Sequence, residues 1–401
     1  MAAAAVYVLV RAVGFAVLYW YANAHDASVS DALTKWDGHW FLGIAEHGYN
    51  GVSADLVDAF GRRTDATALA FFPGYPFLVA AVAWLPWVSV FGAALGVNVV
   101  SGVVAAAGLA RLSRTITSSS WVGLLMAVLF AAAPMGVVLS MTYSEALFCA
   151  LAVWALNGVL EGRWILAGAC TALAGLVRPT AAALALAVAL AAVVAILQRR
   201  DGWRPWVAAV LAPLGLLGYL GWVGWQTHDL FGWFTLQSRG WNSGFDGGAA
   251  SWRYLVRQVN EPGPLMEVAS VLIVLAALGL VVLSVIARLP WPVLLYGVGV
   301  TVMAVASNGL MPSKPRLLLP AVVLVLPVAV GLAKRRGGRS WPWSPVLSSP
   351  VRASGRMRWW CTRTPSDYST SSAHSSCCSR AHSSPTSPVR IPRIASASRS
   401  A

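Results

Sequence analysis

Apolar runs separated by short polar or basic loops repeat along the first 335 positions. They lie near 1–21, 73–88, 91–110, 121–139, 144–160, 164–177, 180–197, 206–226, 265–287, 291–309 and 316–333. A helix needs about 20 apolar residues to cross a bilayer, and several of these runs reach that length. The pattern therefore predicts an all-α polytopic membrane protein, because helices satisfy their own backbone in lipid. Residues 1–21 resemble a signal peptide in hydropathy, but lack a convincing cleavage site and are followed by further spans. They are read as an uncleaved first helix.

Lys and Arg set the orientation of such a chain. The basic clusters are "RLSR" (111–114), "EGR" (161–163), "QRRDGWR" (198–204), Arg288 and "KRRGGR" (334–339). The run 73–88 is short and broken by Pro73, Pro76 and Pro86, so it is predicted to dip into the bilayer or lie along its surface. Every basic cluster then falls on the cytoplasmic side. About ten spans result, with both termini cytoplasmic. The same assignment brings five polar stretches to the opposite, extracytoplasmic face: the first loop (22–72), "TYSE" (142–145), "RPT" (178–180), the second outer loop (227–264) and "SNGLMPSKPR" (307–316). If 73–88 crosses instead, the first loop is separated from the other four.

Composition sharpens this picture. The 401 residues are 58% hydrophobic and 11% charged, with mean hydropathy +0.66, against roughly 25% charged in a soluble chain. The 20 Trp suit interfacial belts. The net charge of +14 sits largely in short loops and the last sixty or so residues, so it reads as an orientation signal and not as a nucleic-acid surface. Cys149 and Cys170 lie in apolar helices, and Cys361, Cys377 and Cys378 near the end, so neither a disulfide framework nor a metal-type spacing is indicated. From residue 337 the chain turns rich in Ser, Arg and Pro without apolar periodicity. Residues 1–336 are therefore read as the membrane domain and 337–401 as a disordered tail. A shifted reading frame in a GC-rich gene would give the same change.

The densest polar cluster follows the first span. "WDGHWFLGIAEHGY" (36–49) has apolar residues at Trp36, Trp40, Phe41 and Ile44, which predicts a short helix on the interface with its aromatics among the headgroups. Asp37 starts that helix, as a cap or as a general base. His39 and His47 are solvated or assist it. "FFPGYPFL" (71–78) reads as a re-entrant turn or interface bend; the sharper alternative packs it beneath this loop, where it shapes a groove for a lipid tail. Glu145 opens a helix after "TYS", where a carboxylate suits the helix dipole. Arg178 stands between two apolar segments before Pro179, a position unfavourable for a charge unless it is paired or functional. Arg316 and Lys314 sit at the mouth of the last span. There they snorkel to the headgroups or bind phosphate, for which the arginine fork is suited. Gln237, Arg239, Trp241 and Asn242 form a set suited to sugar and phosphate contacts, although a solvated loop has a similar one.

Taken in order, "WDGHWFLGIAEHGY", "FFPGYPFL", "TYSEALFCALAVWAL", "AGLVRPTAAAL", "WFTLQSRGW" and "PSKPRLLLPA" resemble the bacterial form of the GPI mannosyltransferase II (PIG-V-like) family, over about residues 1–335. The resemblance implies a glycosyltransferase-C-like transmembrane bundle, an acid in the first extracytoplasmic loop and a polyprenyl-phosphate sugar donor. Asp37 matches that acid, and Glu145, Arg178 and Arg316 match the Ser-Glu, Arg-Pro and Pro-Arg motifs. The implied function is an integral membrane mannosyltransferase. It moves mannose with inversion to a hydroxyl of a membrane-associated glycan, lipid or protein, using no metal or other cofactor. Asp37 is the expected base. Arg178, Arg316, Lys314, Glu145, Gln237, Arg239, Trp241 and His39 are the expected donor and substrate contacts. The family expects a final apolar segment where this chain has its tail. An inactive scaffold subunit is the main alternative. A lipid or glycan transporter would show internal repeats and midplane charges, and neither is evident.

Overall fold

The computed structural model describes residues 1–261 and 263–337. The chain divides into two units, Met1–Ser340 and Trp341–Ala401. The second unit, and with it the expected tail beyond Gly337, lies outside the described residues. The first is helical, and its one β-pairing among the described residues is an isolated bridge between Phe245 and Ser307.

In chain order the helices are α1 (Ala2–Ala24), α2 (Val29–Thr34), α3 (Asp37–His47), α4 (Gly74–Ala83), α5 (Val90–Thr117), α6 (Ser120–Ala131), α7 (Glu145–Leu160) and α8 (Trp164–Gly175). They continue with α9 (Ala181–Leu197), α10 (Arg204–Thr227), α11 (Gly232–Trp241), α12 (Ala249–Asn260), α13 (Leu265–Ile286), α14 (Trp291–Val305), α15 (Lys314–Leu318) and α16 (Leu326–Gly337). Among the described residues, α1, α5, α10, α13 and the stretch Met311–Arg335 are long and apolar enough to cross a membrane. Six apolar helices are shorter: α4, α6 to α9 and α14.

Helix α4 has ten residues, or about 15 Å at 1.5 Å per residue. That is half of the roughly 30 Å hydrocarbon thickness, and α6 and α8, at 12 residues each, also fall short of it. Contacts at the two ends agree with the expectation that 73–88 does not cross. At one end, Thr142 N donates to Leu33 O at 3.0 Å, Gly74 N to Leu176 O at 2.7 Å and Ala59 N to Gly240 O at 3.0 Å. These join the first loop to segments that a crossing α4 would place opposite. At the other end the basic loops meet: Arg111 Nη2 reaches Glu161 Oε2 at 2.7 Å, Arg163 reaches the same carboxylate at 3.2 Å, and Trp164 Nε1 donates to Asp201 at 2.8 Å.

Small residues let these short helices approach closely, which is how helices associate without a hydrophobic drive in lipid. A Cβ on Gly215 of α10 would collide with the carbonyl of Ala172 on α8. The run expected as one span over 121–139 divides. Helix α6 ends at Ala131, because Pro134 lacks an N–H and clashes with the preceding turn. Arg11 of α1 takes up the exposed end, donating to Ala131 O at 3.2 Å and to Ser140 Oγ at 2.7 Å. Asn98 of α5 holds the Met141 carbonyl. Irregular backbone inside a bundle is tolerated where protein groups satisfy it in this way.

The buried turn Thr67–Ala70, ahead of α4, obeys the same rule. The Tyr219 hydroxyl shares its one proton between Leu69 O and Phe71 O at 2.8 and 2.6 Å, Tyr49 donates to Phe71 O at 2.7 Å, and Gln237 and Trp233 donate to Ala70 O at 3.0 and 3.3 Å.

If the first loop and the 242–248 loop share one end and the 111–117 and 198–204 loops the other, cysteines will report it. With the three tail cysteines replaced by serine, Asn50→Cys and Phe245→Cys should react with an impermeant thiol reagent from one side of sealed vesicles. Thr115→Cys and Gln198→Cys should react only from the other. Labelling of Asn50→Cys together with Thr115→Cys would refute the arrangement.

Candidate functional site

Helix α3 exists where the pattern predicts it, with Asp37 as its first residue. Its aromatics do not lie among headgroups. Trp40, Phe41 and Ile44 are buried and pack on Phe71, Tyr75 and α5, with Trp40 stacked on Phe71 at 5.1 Å and Phe41 edge-on to Tyr75 at 5.2 Å. Burying about three large side chains against the "FFPGYPFL" bend is worth more than leaving them at the interface. The bend thus packs against the first loop. The outer side of α4 carries an open apolar hollow of about 260 Å³ lined by Phe77, Ala80, Ala81 and Trp84.

This packing fixes α3 so that Asp37 meets three residues distant in sequence. Arg316 Nη1 contacts Asp37 Oδ2 at 2.8 Å, and its Nε lies 3.5 Å from Glu145 Oε1. Arg178 Nη1 reaches the same Glu145 oxygen at 2.7 Å and donates to Ser144 Oγ at 3.1 Å. The result is an alternating chain, Asp37–Arg316–Glu145–Arg178, with two positive and two negative groups. Exposure grades along it. Glu145 is fully buried, the Arg178 and Arg316 side chains are 11% and 17% exposed, and the Asp37 side chain is 28% exposed. The gradient makes Glu145 the inner anchor and Asp37 the outer, reachable end.

Each member is positioned by local sequence. Glu145 opens α7, where its charge also faces the helix N-terminus. Arg178 follows α8, where Pro179 stops the helix. Arg316 projects from α15, whose first turn carries Pro315. Beneath Arg316 lies the ring of Tyr143, 5.0 Å from the guanidinium carbon, a cation–π arrangement. Burial and the nearby Asp37 carboxylate push the Tyr143 phenol well above its ordinary range, against the opposing effect of Arg316. It stays protonated and donates to Lys35 O at 2.9 Å. Sequence reasoning marked "TYSE" but assigned nothing to Tyr143 or Ser144, because their roles depend on contacts 34 and 108 positions away.

The turn before Asp37 is unusual. Trp36 has φ 57° and ψ −115°, a conformation unfavourable for a bulky L-residue, costing on the order of 1–3 kcal/mol. Gly38 follows because a Cβ there would collide with the Thr142 hydroxyl.

The remaining expected site residues lie elsewhere. Lys314, 1% exposed, turns away from Arg316 and donates to Ser251 Oγ at 2.9 Å and to the Ala304 carbonyl at 3.0 Å. It closes the C-terminal end of α14. Gln237 supports the 67–70 turn, and Trp241 packs edge-on to Phe71 and Trp40 at 5.6 and 6.4 Å. Arg239 is exposed, and its backbone carbonyl accepts from Arg62. His39 is exposed on α3, and His47 forms an exposed 3.8 Å pair with Glu46. Among the described residues no group of three or more His, Cys, Asp or Glu side chains gathers as a metal site.

No family model and no curated protein matches the chain. Among solved structures it is similar to ArnT from Cupriavidus metallidurans bound to undecaprenyl phosphate, at 16% identity and a TM-score of 0.50, over 81% of this chain and 60% of that one. The apo structure of the same protein matches at 15% identity and a TM-score of 0.47, over 75% and 56%. The chain thus spans about 60% of ArnT's length. The likeness shows the fold alone, a bundle of helices like that of ArnT.

The buried end of the ion-pair chain yields a stability test. Removing one partner of a buried pair leaves an uncompensated charge, costing roughly 3–5 kcal/mol. Glu145→Gln should therefore lower the unfolding midpoint of the detergent-purified protein strongly. Asp37→Asn, at the exposed end, should lower it much less. Equal midpoints for the two variants would contradict the gradient.

Proposed function

We propose that the protein is an integral membrane glycosyltransferase that takes a sugar from a polyprenyl-phosphate donor and joins it to a hydroxyl of a membrane-associated acceptor. The observation that carries this is the contact of a reachable carboxylate, Asp37, with a guanidinium, Arg316, at one end of an apolar bundle. The fold likeness supports it, and the similar ArnT is bound to undecaprenyl phosphate. The PIG-V-like motifs favour mannose as the sugar. The positive-inside pattern favours an extracytoplasmic site with both termini cytoplasmic.

The chemistry follows from charge. The acceptor oxygen attacks the anomeric carbon from the face opposite the phosphate, so a single displacement inverts that centre. The bond between the anomeric carbon and the phosphate oxygen breaks, and its electron pair stays on the lipid phosphate, which gains one negative charge. That charge needs a cation rather than a proton. Arg316 meets the need by passing from Asp37 to the phosphate, with Tyr143 beneath it and Glu145 holding its Nε side. Asp37 is then left free to accept the hydroxyl proton. Arg178, deeper and bound to Glu145 and Ser144, holds Glu145 in place. These roles require no metal. The hollow on α4 is suited to the donor's apolar tail.

Membranes containing the protein should transfer label from polyprenyl-phosphate mannose to an envelope component, and EDTA should leave the rate unchanged. At matched protein amounts, Asp37→Asn should reduce the rate by about 10²–10⁴-fold. Arg316→Lys should reduce it by about 10²–10³-fold, since a lysine presents a point charge in place of the fork. Wild-type rates in both variants would rule out these assignments.

A further inference from the structure

Trp36 is spent on nothing that the fold uses. Its indole is 73% exposed, and among the described residues it makes no aromatic contact and no side-chain hydrogen bond. Trp40, one turn later, is 5% exposed and stacked on Phe71 at 5.1 Å. Yet the backbone of Trp36 is held in a conformation that favours glycine, with φ 57° and ψ −115°. The neighbours enforce it from both sides. Thr142 N donates to Leu33 O at 3.0 Å, Tyr143 Oη donates to Lys35 O at 2.9 Å, and the Thr142 hydroxyl fills the space beside Gly38. Strain persists where surrounding structure over-determines it, and such positions gather at functional sites.

Anchoring in the headgroup region does not explain the position. Exposed tryptophans that suit such anchoring, among them Trp20, Trp206 and Trp225, sit inside α1 and α10 on ordinary helical backbone. Trp36 differs from them in both backbone and place. It directly precedes Asp37, the reachable end of the ion-pair chain. An exposed indole on the residue next to a reachable carboxylate suits a pyranose. The aromatic face carries the negative part of the quadrupole and meets the weakly positive axial C–H groups of a sugar ring, while the carboxylate takes its hydroxyl.

We propose that Trp36 is a stacking platform for a pyranose ring in the site headed by Asp37, held there by the strained turn between α2 and α3. This rests on the glycosyl-transfer reading above. The ring belongs to the donor's sugar or to a sugar acceptor, and the two are separable by experiment. Trp36 touches substrate through its face alone and takes no part in proton transfer.

The test uses the full-length protein in nanodiscs, with Trp36→Gly, Trp36→Phe and the control Trp87→Gly. Trp87 is also exposed at positive φ, and among the described residues it makes no hydrogen bond, ion pair or ring contact with the ion-pair chain. Glycine relieves the turn, so Trp36→Gly should melt at or above the wild-type temperature. It should nonetheless bind polyprenyl-phosphate mannose roughly 2- to 12-fold more weakly, the range of an aromatic contact. Affinity for polyprenyl phosphate without the sugar should not change. Trp36→Phe should recover most of the loss, and Trp87→Gly should show none. If donor affinity holds but KM for an alkyl mannoside acceptor rises by a similar factor, the ring is the acceptor's. Wild-type values for Trp36→Gly in both arms overturn the platform while leaving the transfer reading intact, and so does equal weakening toward the lipids with and without sugar. Wild-type protein that prefers the sugar-bearing lipid through Trp36 but transfers nothing overturns the transfer reading and leaves the platform standing.

Discussion

Two arginines and two carboxylates at one end of an apolar bundle constrain the rest of this structure. A charge in such surroundings is unfavourable unless paired, and no member of the chain Asp37–Arg316–Glu145–Arg178 is adjacent to its partner in sequence. Pairing them requires the first loop, the start of α7, the end of α8 and the start of α15 to converge. Those four segments then set which helices are neighbours and in which direction each runs.

The convergence leaves irregular backbone inside the bundle, and that backbone is satisfied by side chains rather than water. Arg11 and Asn98 hold the segment after α6, and Tyr49, Tyr219, Trp233 and Gln237 hold the turn before α4. These supports stand directly behind the site. The segment after α6 delivers Tyr143, Ser144 and Glu145, and the turn before α4 carries the Phe71 on which α3 packs. A site built this way is pre-organised, since its side chains are oriented by contacts that do not depend on substrate.

The exposure gradient has a chemical consequence. A fully buried Glu145 shared by two guanidiniums is poorly placed for exchange with a substrate. The outer pair is placed differently. Asp37 is 28% exposed and is bound to one guanidinium nitrogen at 2.8 Å, so an incoming anion competes with it for Arg316 without breaking the inner pair. In the proposed reaction, structural and reactive duties are thereby divided within one network.

The order and type of the membrane segments were legible in the chain, because hydropathy over about 20 residues reports the solvent each segment faces. So was the short α4, through its three prolines, and so was Arg178 as a charge in an unfavourable place, while Asp37, Glu145 and Arg316 were marked by their motifs. Sequence alone did not distinguish Arg316 from Lys314, two positions apart. They leave α15 in different directions, one toward Asp37 and one toward the carbonyls ending α14, and direction is a property of the assembled helix. Nor did it show that the aromatics of α3 pack inward, since an apolar face fits lipid headgroups or a protein neighbour equally well until the neighbour is in place. The early end of α6 at Ala131 was written in Pro134, but the group that makes it tolerable, Arg11, comes from a helix more than a hundred residues earlier. Composition and periodicity decide what each segment is. Which charge meets which, and which indole stays uncovered, is decided by contacts between segments far apart in the chain.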